Sequence, residues 1–344
     1  MEKEQAIERI SLLDAMRGYF IAWVGLFNTF NILNAVYPNA YYSSILLLIN
    51  DKGWFCLSAI FGYSFGLLLK KQKDGANIFL KRMLVLFLLG MANSLLYYGD
   101  ILKDYALIGM LIYGLRKYLI QYPVRSLLLV LFLVLLTHVF VDNDMSKAGS
   151  IKDFRYASNV FWANVSYTFR LNGQSYYYLI TYHLEMLLLV LIGFYGSYLG
   201  IARTYLWVFD KATSNFRLYL GLDVLMLLIF VASAFIPWLN RLAYFAHIFL
   251  FSLWYMTGFY LIIKPHTSLH RILSNLGRKT LTIYILQNVI LCSFWFVGAN
   301  KGLAFNSLLF LGLQMGVLGV FLVKQTWLQR VGLERIWRKV ACWI

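Results

Sequence analysis

Long apolar runs alternate with short polar segments along the whole chain, and each run is about the length that crosses a bilayer as a helix rising 1.5 Å per residue. They fall near 12–34, 53–69, 80–97, 101–120, 124–141, 176–200, 217–236, 242–263, 280–298 and 304–324, which predicts ten membrane-spanning helices. The expected fold class is all-α, a polytopic membrane helical bundle. The longest interruption, 142–175, mixes both charge signs with Phe154, Phe161 and Trp162, a composition that suits an outer loop with a surface-lying helix. It divides the chain into an N-terminal five-helix half, 1–141, and a C-terminal half, 176–344. The second half closes on Trp327, Trp337 and Trp343 interspersed with Arg330, Arg335, Arg338 and Lys339, as in an interfacial helix on the inner leaflet. No internal repeat relates the halves, so an inverted-repeat transporter gains no support.

Charge orients this pattern. With the N-terminus inside, the inner segments hold 22 of the 31 Lys and Arg and the outer ones 8, with Arg17 left at the mouth of the first helix. That asymmetry predicts a multi-pass membrane protein with an even number of helices and both termini inside, in the cytoplasm. Charged residues are 13% of the chain, against about a quarter in soluble domains. The net charge of +16 therefore reads as inner loops facing anionic lipid, and nucleic acid is excluded as a partner. The acidic start, Met1-Glu2-Lys3-Glu4, lacks the basic n-region of a secretory signal, so the first helix is expected to insert and stay. Cys56, Cys292 and Cys342 have no CxxC spacing, which points to buried thiols and to no metal site.

Candidate chemistry lies where polar groups interrupt the apolar runs. Asp14 and Arg17 sit three apart at the entrance of the first span, where ionisable groups pair or touch a ligand, and Asn28 returns to nearly the same face. Lys70, Lys71, Lys73, Lys81 and Arg82 either fix topology or hold the phosphates of a cytosolic anion. Asp100 and Asp104 follow Gly99 between the third and fourth helices; capping and dipole compensation account for both, and Asn93 can face the same outer cavity. His138, His183 and His247 fall in outward helix halves, and His266 and His270 in an inner basic loop. A buried neutral imidazole is either a hydrogen-bonded structural group or a general base, and His183 is the candidate base. Glu185, two residues on, points elsewhere, so any partner of His183 must come from another helix. Gly62-Tyr63-Ser64-Phe65-Gly66 fits the G-x-S-x-G pattern of hydrolases but lies inside a helix, so its glycines, like Gly312 and Gly316, read as packing faces.

Leu13-Asp14-x-x-Arg17-Gly18 with Asn28, and Gly99-Asp100-Ile101-Leu102-x-x-Tyr105-Ala106, resemble the two N-terminal signatures of the YeiB-like membrane family. Leu276-Gly277-Arg278-x-x-Leu281-Thr282-x-Tyr284-x-x-Gln287 and Gly332-Leu333-Glu334-Arg335-Ile336-Trp337-Arg338 resemble its two C-terminal ones. The family in turn is similar to the transmembrane acyltransferases, among them heparan-α-glucosaminide N-acetyltransferase and acyltransferase family three. The resemblance implies a membrane acyltransferase of the bacterial cytoplasmic (inner) membrane that takes an acyl group from cytosolic acyl-CoA or acetyl-CoA to a hydroxyl or amine on a small-molecule, glycan or lipid acceptor at the outer face. Arg17 and Asp14, with Lys81 and Arg82, would bind the CoA side; Asn28, Asn93 and Asp100 would line the acceptor cavity, with His183 as base. Asn28 stands where acyltransferase family three carries a histidine, as is usual in YeiB-like proteins, whereas Asn93 replaces a histidine and Ile283 an asparagine of the YeiB-like pattern; an amide binds an oxyanion or substrate but takes no proton. A transporter or channel for a small organic anion and a non-catalytic partner subunit are the alternatives. Membrane lipid is the expected surrounding, and homodimerisation is left open.

Overall fold

The computed structural model describes residues 2–36, 52–71, 75–95, 97, 100–140, 180–199 and 267–301, with isolated positions within 217–259, 312–319 and 333–334. Among them every regular element is a helix: α1 (Glu2–Val36), α2 (Lys52–Lys71), α3 (Gly75–Ser94), α4 (Leu102–Gln121), α5 (Pro123–Phe140), α6 (Ile180–Tyr198), α7 (Ser268–Gly277) and α8 (Thr280–Lys301). The chain is all-α in these regions. The predicted 142–175 loop, His247, His266, Cys342, most of the spans near 217–236, 242–263 and 304–324, and the tryptophan-rich end lie outside the described residues. Two described helices are long and apolar enough to cross a membrane, Gly53–Lys70 and Gly75–Ser94; Pro123–His138 and Thr280–Ser293 are shorter apolar helices.

Glycines set how closely the helices approach. On α2, a Cβ at Gly62 would fall 1.9 Å from the Val190 carbonyl oxygen, and one on Gly193 of α6 would fall 1.9 Å from that of Ala59. Only hydrogen fits there, so Gly62 and Gly193 let α2 and α6 pack backbone to backbone. The Gly-x-Ser-x-Gly run is thus a packing surface, as its helical setting predicted. At Gly312 and Gly316, both exposed, a Cβ would meet nothing within 4 Å among the described residues.

One face of α1 organises the rest. Asp14, Gly18, Gly25 and Asn28 lie within one stripe of the helix. Against that stripe sit, in order, Arg278, Leu273 with Gly277, Gln287 and Asn288. The polar track read from the sequence therefore faces the C-terminal segment. That segment contains an element the sequence reading missed, since 264–279 was expected to be a basic loop. Leu269, Ile272, Leu273 and Leu276 repeat at helical spacing, and Thr267 caps α7 by accepting from His270 N–H at 3.1 Å. His270 is accordingly helical and buried, 2.9 Å from Ser11 Oγ.

The outward faces are apolar. Leu88, Val124, Leu128 and Phe132 are more than half exposed. On α5 the last three repeat every four residues, forming a continuous apolar stripe of the kind soluble monomers rarely expose.

Candidate functional site

A cavity of about 460 Å³ opens where α1, α2, α3, α4 and α8 meet. Charge gathers along one part of its wall. Asp14 accepts from Arg17 Nη1 at 2.6 Å on one carboxylate oxygen and from Arg278 Nε at 3.4 Å on the other. Arg17 Nη2 also donates to Ser64 Oγ, whose own hydroxyl donates to the Ile60 carbonyl at 2.7 Å. Arg82 completes a set of three guanidinium groups lining one space. Against them stand two carboxylates, Asp14 and Glu334, and Glu334 accepts from Thr282 N–H at 2.9 Å and from the Thr282 hydroxyl. That carboxylate is committed to the first turn of α8, where an anion complements the helix dipole. The remaining balance is positive, a setting for an anion.

Glycines again explain why these groups meet. A Cβ on Gly277 would lie 1.6 Å from the Asp14 carbonyl oxygen, and one on Gly18 would lie 2.0 Å from that of Leu273. This crossing brings Arg278, the next residue, onto Asp14.

Beyond the charges the cavity is a hydrocarbon slot, with Ile21, Leu57, Ile60, Phe65, Met83 and Leu86 among its walls. It reaches Ile101, Leu102, Tyr105 and Tyr284. The connection between α3 and α4 folds inward there, because Ile101 N–H donates to Tyr284 Oη at 3.3 Å. Asp100 is 1% exposed, and its carboxylate accepts from Asn93 Nδ2 at 2.6 Å and from the N–H groups of Leu102 and Lys103 at 3.1 and 3.3 Å. It caps α4, as expected, but from a sealed position. Burial pushes the Asp100 carboxyl up to about 6, while Lys103 and Asn93 pull it back. Lys103 Nζ, itself buried, donates to the Asp100 carbonyl at 2.5 Å and lies 3.8 Å from Asp104.

Of the residues nominated from sequence, Asp14, Arg17 and Arg82 line this cavity, whereas Lys81, Asn28, Asn93, Asp100 and His183 are not among its walls. Asn28 belongs to a neighbouring amide cluster: its Nδ2 donates to Asn288 Oδ1 at 3.2 Å and its Oδ1 accepts from Tyr97 Oη at 3.2 Å. His183 stands on the other side of α4, with Nε2 3.2 Å from Asp104 Oδ1. The partner expected from another helix is therefore Asp104, and Glu185 instead approaches His138 at 3.1 Å. A polar chain runs Asn93, Asp100, Lys103, Asp104, His183, buried as far as Asp104 and partly exposed at His183. Reading the sequence did not foresee Ser64, Lys103, Tyr97 or Asn288 as members of these clusters. The available signal was a polar residue inside each apolar run, which gives a location but no partner. Among the described residues no group of three His, Cys, Asp or Glu is placed to hold a metal ion.

No family model matches the chain, and no solved structure matches it. Over 120 residues it is 31% identical to an "Uncharacterized 39.9 kDa protein in amylase 3'region" of Bacillus acidopullulyticus, a match covering 32% of this chain and 35% of that protein. The chain thus spans about a third of the length of the curated relative it matches.

Proposed function

We propose that this is a multi-pass protein of the bacterial inner membrane that binds acyl-CoA through the α1–α8 cavity and passes the acyl group to an acceptor on the far side. One observation carries the reading. A single cavity joins a net-positive wall, suited to CoA phosphates, to a hydrocarbon slot suited to the acyl chain, and its far wall is one residue from Asp100. The ten-helix, both-ends-inside topology is supported by the Lys and Arg asymmetry and by the exposed apolar stripe on α5, which suits lipid. In the transfer, the acceptor oxygen forms a bond to the thioester carbonyl carbon as the carbon–sulfur bond breaks, and the hydroxyl proton leaves with the CoA thiol. His183, held by Asp104, is the candidate base, joined to Asp100 beside the cavity's far wall through Lys103.

The test uses purified protein in lipid nanodiscs. Palmitoyl-CoA should raise the melting temperature, and more than palmitate or CoA alone, because only the thioester fills both parts of the site. Arg17→Lys keeps the charge but loses the two-pronged guanidinium, so affinity should fall about tenfold in a folded protein. Equal protection of wild type and Arg17→Lys, or none by palmitoyl-CoA, removes this reading; uptake of a small organic anion into proteoliposomes would favour a transporter instead.

A further inference from the structure

Gly109 is buried near the middle of α4, and a Cβ there would fall 2.4 Å from Met83 Sδ, 2.9 Å from Met83 Cγ and 3.2 Å from Phe79 Cζ. The missing side chain leaves a recess, and α3 lays two side chains against it. Both belong to residues that line the cavity between α1 and α8, one helical turn apart. They differ in freedom. Phe79 is stacked on Phe65, with ring centroids 3.7 Å apart and planes 24° from parallel, and Phe65 is stacked in turn on Phe194 at 5.4 Å, so the Phe79 ring is backed on its other side. Met83 is an unbranched thioether with three rotatable bonds, which takes the shape its neighbours leave. It is 1% exposed and lies in the apolar core, so a push from α4 sends it into the cavity it lines.

The cavity is long enough for that movement to matter. Leu57 and Leu68 both line it and stand eleven residues apart on α2, about 16 Å along the helix axis. On α3, Arg82 belongs to the positive wall, Met83 follows it, and Leu86 lies a turn further toward Ile101 and Leu102 at the far wall. Met83 thus stands between the charged end and the far end. We infer that this cavity selects a long acyl chain over an acetyl group, and that Gly109 is the positioning residue that holds Met83 out of the chain's path. An acetyl group, whose two carbons reach about 1.5 Å, leaves the apolar walls beyond Met83 facing empty space, whereas a long chain supplies the missing contacts. This assignment deepens the acyl-CoA reading by naming the substrate class. It rests on that reading for the head the chain carries, while the recess acts on any chain that enters.

The experiment compares wild type, Gly109→Ala, Met83→Ala and the double variant in lipid nanodiscs, with Kd read from the melting temperature. The probes are acetyl-, octanoyl- and palmitoyl-CoA, and octyl and hexadecyl phosphate. Each methylene that the slot buries should tighten binding by up to about fourfold, so wild type should bind palmitoyl-CoA at least about a hundredfold more tightly than acetyl-CoA. Chains also partition into the nanodisc lipid, equally for every variant, so differences between variants report the slot. Gly109→Ala should weaken palmitoyl-CoA about tenfold or more and leave acetyl-CoA unchanged, and Gly109→Ala with Met83→Ala should restore the long chain. That rescue separates a blocked slot from a loosened α3–α4 contact. Met83→Phe fills the path directly and provides the same reading if Gly109→Ala does not fold. Equal weakening of palmitoyl-CoA and acetyl-CoA, no recovery in the double variant, or acetyl-CoA bound by wild type as tightly as palmitoyl-CoA overturns the inference. Length-dependent protection by the alkyl phosphates, lost in Gly109→Ala, without protection by any acyl-CoA leaves the recess standing and removes the acyl-CoA reading. Equal protection by all three thioesters does the reverse, and protection by neither series removes both.

Discussion

The Asp14 cluster and the Gln287 cluster lie against the same face of α1, yet they satisfy their polar atoms in opposite ways. Around Asp14, both carboxylate oxygens have guanidinium partners and Arg17 has a second acceptor in Ser64. Around Gln287, an amide with no charge is left unmatched on both atoms. The difference follows from what each group costs when buried alone. An unpaired charge in an apolar bundle is too expensive to leave to a ligand, so it is clamped from several helices. An unpaired amide costs far less, so the bundle tolerates it. The first cluster is therefore part of what holds the helices together, whereas the second adds nothing to that hold.

If that contrast is right, the largest losses come from the crossing that builds the clamp. Gly277→Ala places a Cβ 1.6 Å from a backbone oxygen that cannot move without α1, so the helices must separate and Arg278 must leave Asp14. A loss of about 3 kcal/mol or more is expected, seen as aggregation or early melting of the detergent-solubilised protein. Full stability would mean that the α1–α7 crossing does not hold the site together.

Next comes the clamp itself. Asp14→Asn leaves two guanidinium groups facing an amide and should cost about 2 kcal/mol, whereas Gln287→Leu should cost nothing. Thermal unfolding of the pair tests the comparison directly, and equal destabilisation would erase it.

Asp100 offers a pH version of the same contrast. Its carboxyl is raised by burial from 3.8 to about 6, so the folded protein holds the proton more tightly than the unfolded chain. The sign follows: this contribution is fully present below pH 4 and is lost as pH rises through 6. The expected decline is at most about 3 kcal/mol across that window, and Asp100→Asn should flatten it. A stability profile unchanged by the substitution would mean that the carboxyl is ionised at no cost.

What could be read from the sequence divides along the same line. Asp14, Arg17 and Asn28 stand out because charge and amide groups are rare inside apolar runs, and helical periodicity alone puts them on one face. The helices α1 to α6 and α8 were legible for the same reason, since length and apolarity mark them. Short α7 was not, because its polar half resembles a basic loop until its leucines are counted at helical spacing. Partners across the bundle were also out of reach. Nothing local to Gly277 says that it meets Asp14, and Ser64 lay inside a run whose glycines explained it without Arg17. Asp104, read as a helix-dipole residue, turned out to face His183 as well. Pairings 47 to 264 residues apart depend on how helices cross, and periodicity carries no information about crossing.

The smallest effect is expected at His183. Its 3.2 Å approach to Asp104 joins two side chains that are partly shielded but not sealed, His183 being 19% exposed and Asp104 9%. Asp104 also lies 3.8 Å from Lys103, so it loses only part of its compensation when the imidazole is removed. His183→Gln keeps a hydrogen-bonding group at about the same reach and should change stability by less than about 1 kcal/mol. A double-mutant cycle with Asp104→Asn isolates the pair, and the coupling should be about 0.5–1 kcal/mol, within the range for neighbours in one network. If His183 serves acyl transfer, His183→Gln should retain the melting shift with palmitoyl-CoA while release of free CoA thiol in the presence of an alcohol or amine acceptor disappears. Loss of the shift together with the thiol signal would make His183 part of the binding framework, and retention of both would take it out of the chemistry.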